Sequence, residues 1–175
     1  ELIEYARARP GQLNYSTSGM GSPPHLAAEM LKLMTKINLV HVPYKSSAAA
    51  TTDLLGGHVQ LSFQYAPTAM PHVKSGRVRT LGVASLKRTQ VAPELPTIAE
   101  SGLPGFEVLG WNGIHLPLAT PRALVERISR DAQAMLKSPD VRERLLTVGM
   151  DADGSTPEVF AAFVKRDLAR MTQLI

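Results

Sequence analysis

Leu13-Asn14-Tyr15-Ser16-Thr17-Ser18-Gly19-Met20-Gly21-Ser22-Pro23-Pro24-His25 opens on a short strand-like run, passes through a loop of small residues and enters the amphipathic stretch 26–36. A strand, a loop of Gly, Ser and Thr and then a helix N-terminus is how α/β proteins build an anion site. Backbone N–H groups point out of the first turn, and the helix dipole favours negative charge there. Glycine lets the backbone approach a ligand, and proline in the first turn sets φ where no N–H partner is needed. An ordinary βα turn with Ser22 as N-cap is the plain alternative. The loop lacks the GxGxxG dinucleotide fingerprint, the Gly-Lys-Ser/Thr of a P-loop and the Gly-x-Ser-x-Gly of a nucleophile elbow. It suits a small anion, a carboxylate above all, with no catalytic group in it.

The same grammar recurs downstream. Residues 38–44 are strand-like, and Lys45-Ser46-Ser47 caps an Ala-rich helix that should end at Gly56-Gly57. Residues 59–65 alternate as a strand, Pro67 opens a short helix with Pro71 inside it, and residues 78–85 make a fourth candidate strand. Strands alternating with helices predict an α/β fold with a mainly parallel sheet flanked by helices. Ligands of such sheets sit beyond the carboxyl ends of the strands, so Ser16–Ser22, Tyr44–Ser47 and Gln64–Ala66 should converge on one edge. Residues 86–106 are Pro- and Gly-rich, with a capping box at Thr97-Ile98-Ala99-Glu100 that predicts one short helix. Residues 106–116 read as extended. Thr120-Pro121, Ser138-Pro139 and Thr156-Pro157 each place a hydroxyl before a proline and predict three capped helices, the first and last with apolar stripes.

Composition narrows the function classes. The 175 residues are 44% apolar with mean hydropathy −0.03, and no run is long enough to span a membrane. The net charge is +4, but residues 1–110 hold ten basic and seven acidic side chains against nine and eight in 111–175. With that even scatter and 5% aromatic residues, nucleic acid is not an expected partner. No cysteine is present, which removes disulfides and thiolate chemistry. His25, His41, His58, His72 and His115 are the candidate general bases for an enzymatic reading, and Lys45 the candidate Schiff-base lysine. None sits in a catalytic motif or at metal-ligand helical spacing, so neither catalytic residues nor a cofactor or metal is expected. Residues 1–9 read as the last turns of a helix stopped by Pro10-Gly11, with neither an initiator Met nor a signal-peptide core. We therefore expect a piece of a longer protein.

Four motifs in order carry a resemblance. They are residues 15–26, His41-Val42-Pro43-Tyr44-Lys45 with Thr52-Asp53-Leu54-Leu55-Gly56-Gly57, residues 96–105, and Gly154-Ser155-Thr156-Pro157-Glu158. Together they resemble the Bug receptors, the TctC-like extracytoplasmic solute-binding proteins of tripartite tricarboxylate transporters, over nearly the whole chain. The resemblance implies a type II periplasmic-binding-protein-like fold of two α/β lobes closing on a carboxylate-bearing ligand. It divides this chain into residues 1–11, the end of a helix from a missing N-terminal lobe; 12–110, the ligand-binding lobe; and 111–175, a crossover strand and helices returning to the first lobe. The ligand residues it implies are Ser16, Thr17, Ser18, Gly19, Met20, Gly21 and Ser22, faced by Tyr44, Lys45, Ser46 and Ser47, with Gln64 and Tyr65 in the third loop. Gln64 replaces an acidic residue common in relatives, which favours a ligand with a neutral or aromatic far end. Ser46 replaces a common Gly. The implied partners are a small carboxylate and the transporter's membrane components, in the periplasm. Delivery to a membrane signalling system, on the same fold, is the alternative to transport. Lacking its first lobe, the chain is expected to self-associate or swap elements through the apolar faces beyond Trp111.

Overall fold

The computed structural model describes residues 1–174. Residues 1–109 form one compact unit and 110–173 a second.

The first unit is built on three short parallel strands: β1 (Asn14–Thr17), β2 (Val40–Pro43) and β3 (Leu61–Ser62). The order is β2-β1-β3, with Tyr15 beside His41 on one side and beside Leu61 on the other. Helix α1 (Leu2–Ala8) precedes the sheet, α2 (Pro23–Thr35) links β1 to β2, α3 (Ser47–Leu55) links β2 to β3, and α4 (Ala66–Lys74) follows β3. Because the order reverses at β1, right-handed crossovers put α2 and α3 on opposite faces. The strand pleat agrees. Tyr15 reaches Glu29 of α2, whereas Ser16 faces the other way, toward Ser62 and the α3 side.

Each helix has a local cause. Ser22 caps α2 by accepting the His25 N–H, with two prolines in the first turn, and Lys36 in the left-handed region ends it. Ser46 caps α3 through the Ala49 N–H. The core of the unit includes Ala6, Tyr15, Ala28, Leu39, Ala50, Val59 and Phe106, all nearly free of solvent contact. Burying each large apolar side chain contributes about 1.5–3 kcal/mol.

Several expectations need correction. The strand expected over 59–65 is reduced to Leu61–Ser62, and residues 78–85 add no fourth strand. Instead Val83 makes a single parallel bridge with Thr97, fastened by Val83 N–H to Pro96 O and Ile98 N–H to Val83 O, both 2.9 Å. The Ala84 carbonyl accepts from Val108, so this segment pairs with its own downstream chain and not with β3. The capping box at Thr97 forms completely, each of its two bonds 2.9 Å, yet no helix follows. Gly102 turns left-handed one turn later, and Pro104 has no N–H with which to continue.

The second unit holds α5 (Arg122–Lys137), α6 (Pro139–Thr147) and α7 (Pro157–Met171), and a 3-10 turn (Thr172–Leu174) follows α7. Of the three hydroxyl caps expected here, only Thr156 accepts a helix N–H, that of Val159. Helix α5 starts one residue late, with Pro121 extended at its cap position, and Ser138 makes no side-chain cap bond. Trp111 stands edge-on to Phe160 and Phe163 at 5.4 and 5.8 Å and donates Nε1–H to Asp167. Leu124, Met135 and Leu168, from the expected apolar stripes, remain 45–67% exposed. Among the described residues, no helix is long and apolar enough to cross a membrane.

Candidate functional site

All three strands run parallel, so the segments that follow them leave from one edge of the sheet: Ser18–Ser22 after β1, Tyr44–Ser46 after β2 and Phe63–Tyr65 after β3. The loops are tied to one another at their roots. Tyr44 N–H donates to Thr17 O at 3.1 Å, and Phe63 N–H to Ser16 O at 3.1 Å. Gly19 holds φ +136°, a backbone conformation that favours glycine, where the first two loops come together near the Tyr44 carbonyl.

Hydrogen bonds divide the expected ligand residues into supports and free donors. Ser16 is fully buried and donates to Ser62 Oγ at 2.8 Å. Ser62 Oγ also accepts from Gln64 Nε2 at 2.9 Å, and Gln64 Oε1 accepts from Thr51 at 3.0 Å. Both ends of the Gln64 amide are therefore held on the α3 side of the sheet. Thr17, on the opposite face and also fully buried, lies 2.7 Å from His41 Nε2 and accepts the Gly19 N–H at 3.3 Å. Ser22 Oγ donates to Gly19 O at 2.7 Å, Ser46 Oγ accepts from Ala49, and Tyr44 donates its phenol proton to Asp53. That bond holds the Tyr44 phenol above its ordinary value. Burial does the same to Tyr65.

The first turn of α2 offers an anion no free amide, contrary to the expectation from the strand–loop–helix pattern. Pro23 and Pro24 have no N–H, the His25 N–H is taken by Ser22 Oγ, and Leu26 N–H closes onto Ser22 O. The free amides lie earlier, in the loop. Gly19, Gly21 and Ser22 N–H donate to Thr17 Oγ1, His25 Nδ1 and Gly19 O. Among the described residues, the amides of Ser18 and Met20 have no protein acceptor. The hydroxyls of Ser18, Ser47 and Tyr65 and the ammonium of Lys45 likewise have no side-chain or backbone partner among the described residues. Met20 is 73% exposed at the loop tip. These donors are among the free ones on that edge, and together they suit a carboxylate, which accepts hydrogen bonds and bears negative charge.

Beneath the loop lies a cluster that the sequence reading did not assemble. The His25 and His41 rings lie 4.5 Å apart, and His41 stacks on Tyr15 at 4.8 Å. Tyr15 donates to Glu29 at 2.6 Å, Lys32 pairs with the same carboxylate at 2.8 Å, and His25 Nε2 stands 3.9 Å from it. Burial pushes the Glu29 carboxyl up, but the Lys32 and Tyr15 hydrogen bonds and the positive charge of Lys32 and His25 outweigh it and hold the group below its ordinary value. Burial first, then charge on His25 and Lys32, lowers His41 against the opposing pull of Glu29. Burial and Glu29 together raise the Tyr15 phenol. Part of the signal was present in the i, i+4 spacing of His25 to Glu29, which puts these two on one helix face; Gly21 lies in the loop before the Ser22 cap. Among the described residues, no cluster of His, Cys, Asp and Glu is arranged to hold a metal ion.

Comparison with known proteins sets this geometry in a family. The chain is 40% identical to the UPF0065 protein in the tcbD-tcbE intergenic region of Pseudomonas sp. (strain P51), over 100% of this chain and 52% of that one. It is 30% identical to protein BugT of Bordetella pertussis, over 99% of this chain and 53% of that one. The chain thus spans about half the length of these two curated relatives. Among solved structures, an R. palustris protein with adipate superposes with a TM-score of 0.83 at 36% identity, covering 99% of this chain and 58% of that one. MatC from Rhodopseudomonas palustris, with bound malate, gives 0.75 at 28%, covering 99% and 60%. The expected fold, a periplasmic-binding-protein-like α/β lobe with a parallel sheet followed by helices, is that of these neighbours. The family model for the tripartite tricarboxylate transporter family receptor matches residues 1–175, and the chain belongs to that family.

Proposed function

We propose that this chain supplies one wall of a periplasmic receptor that captures a small carboxylate and presents it to the membrane components of a tripartite tricarboxylate-type transporter, without catalysis. The observation that carries the reading is the set of free donors on one sheet edge: the Ser18 and Met20 amides, the Ser18 hydroxyl and the Lys45 ammonium. One carboxylate group would take the two amides and the Ser18 hydroxyl, with Lys45 neutralising its charge. Ser47 and Tyr65 would face the rest of the ligand. Ser16, Thr17, Gly19, Gly21, Ser22, Tyr44, Ser46 and Gln64 act as supports that hold those donors in place. Relatives solved with adipate and with malate support a dicarboxylate. The opposite wall is proposed to come from a first lobe, since the relatives are about twice this length. The exposed Leu124, Met135 and Leu168 would pack on that lobe, or on a second copy when it is absent.

Calorimetric titration of the intact protein with adipate, malate and benzoate tests the reading. Hydrogen bonds to a charged group contribute about 1.5–3 kcal/mol, so Ser18→Ala and Lys45→Ala should each weaken binding by roughly tenfold or more without lowering the melting temperature. Unchanged affinity in both variants would remove this edge from the ligand site.

A further inference from the structure

We propose that His25 is a positioning residue that works as a proton-operated latch on the ligand loop: neutral, it holds the Gly21 amide, and protonated, it releases that amide to a bound carboxylate. The inference rests on the reading of Ser18–Ser22 as the carboxylate loop.

The geometry sets the neutral tautomer. Gly21 N–H donates to His25 Nδ1 at 3.2 Å, so the proton of the neutral ring sits on Nε2, which faces Glu29 Oε1 at 3.9 Å. A second proton can enter only at Nδ1. Two donors would then face each other, and the Gly21 amide would have to turn away. Gly21 sits at φ +73°, and a residue without a side chain moves between left- and right-handed backbone at little steric cost, so the peptide has the conformational freedom to rotate.

Glu29, from the same helix, lies 3.9 Å from Nε2 and is itself engaged by Lys32 at 2.8 Å. The His41 ring of β2 lies 4.5 Å away, tilted by 32° to the His25 ring. His41 also packs on Tyr15 and touches Thr17 Oγ1 from β1, where an added proton has no carboxylate partner in contact. Protonation at His25 therefore adds a third amide to those of Ser18 and Met20 and sets a cation under the loop. Both changes favour an anion.

Two measurements on the intact protein separate the latch from the site. The first needs no ligand: amide NMR of Gly21 followed from pH 8 to 5.5. Its proton should shift in a single step that coincides with the His25 ring titration and lose its exchange protection on the acid side. The second is adipate affinity over the same range, which should strengthen by about tenfold as pH falls. His25→Asn keeps an oxygen acceptor near the Nδ1 position but does not titrate, so it should bind with a pH-independent affinity and keep the Gly21 amide protected throughout. A Gly21 amide indifferent to the His25 titration overturns the latch whatever adipate does. An amide that follows the titration while adipate affinity stays flat, or rises equally in His25→Asn, overturns its effect on binding. No adipate binding at any pH refutes the carboxylate reading of the loop, with the amide titration still deciding the latch.

Discussion

Thr17→Val tests whether the loop is held from below. Valine keeps the shape and β preference of threonine and removes only the hydroxyl. That hydroxyl accepts the Gly19 N–H and meets His41 Nε2 on a fully buried side chain. Leaving one buried polar group without a partner costs about 1–3 kcal/mol, and the substitution strands two. Neither Gly19 nor His41 is fully buried, so water recovers part of each, and we take about 2 kcal/mol as the loss. For a chain of this size that lowers the melting temperature by roughly 4–8 °C. With a urea m-value of about 2 kcal/mol/M, it moves the midpoint by about 1 M. Thr17→Ser keeps the hydroxyl and gives up one buried methyl, about 0.8 kcal/mol. Urea unfolding followed by circular dichroism reads both variants. If valine is as stable as threonine, or serine costs more than valine, the Thr17 hydroxyl is not a support and the division into supports and free donors fails.

Three further outcomes follow from the same structure. His41 is lowered in the fold, so its contribution is complete above about pH 6.5 and is lost as pH falls through the folded value; Glu29, also lowered, adds a second loss below the ordinary carboxylate range near 4.3. Thermal melts from pH 8 to 3 should show both declines, and His41→Phe should lack the first. Tyr15 is raised, so its contribution is full below about pH 10 and is lost as pH rises through the folded value. Tyr15→Phe should flatten that alkaline decline, and an unchanged decline would show that another group causes it. Phe106 has no solvent exposure, and Phe106→Ala should cost about 3–5 kcal/mol by denaturant titration.

The elements that could be read from the sequence share one property: their signals are local. Ser22-Pro23-Pro24 and Ser46 mark helix starts because cap and first turn are neighbours in sequence, and both caps form. The same locality misled at Thr97-Ile98-Ala99-Glu100, where a complete capping box closes a single turn that Gly102 and Pro104 end. Residues 78–85 carry a strand's composition, but a strand exists only with a ladder partner. Val83 finds Thr97 in place of β3. The three loops were legible as one edge, since alternating strands and helices force parallel strands whose ends line up.

The sequence alone determined the strand–loop–helix order, the parallel sheet, the family, and the identity of the loops that meet at its edge. Which side chains in those loops remain free was decided only in three dimensions. Ser16 and Thr17 are adjacent in sequence, yet the pleat sends one to Ser62, 46 residues on, and the other to His41, 24 residues on. Ser18, the next residue, lies past the end of the strand and meets neither. Hydroxyls that look alike in a row of Ser and Thr are told apart by register, because a buried polar group bonds whatever the neighbouring strand and covering helix place beside it. The Gly21–His25–Glu29 arrangement has the same origin. Helical spacing lines up His25 and Glu29, but Gly21 reaches the ring from the loop, and the His41 ring that completes the cluster comes from the neighbouring strand, at the position opposite Tyr15.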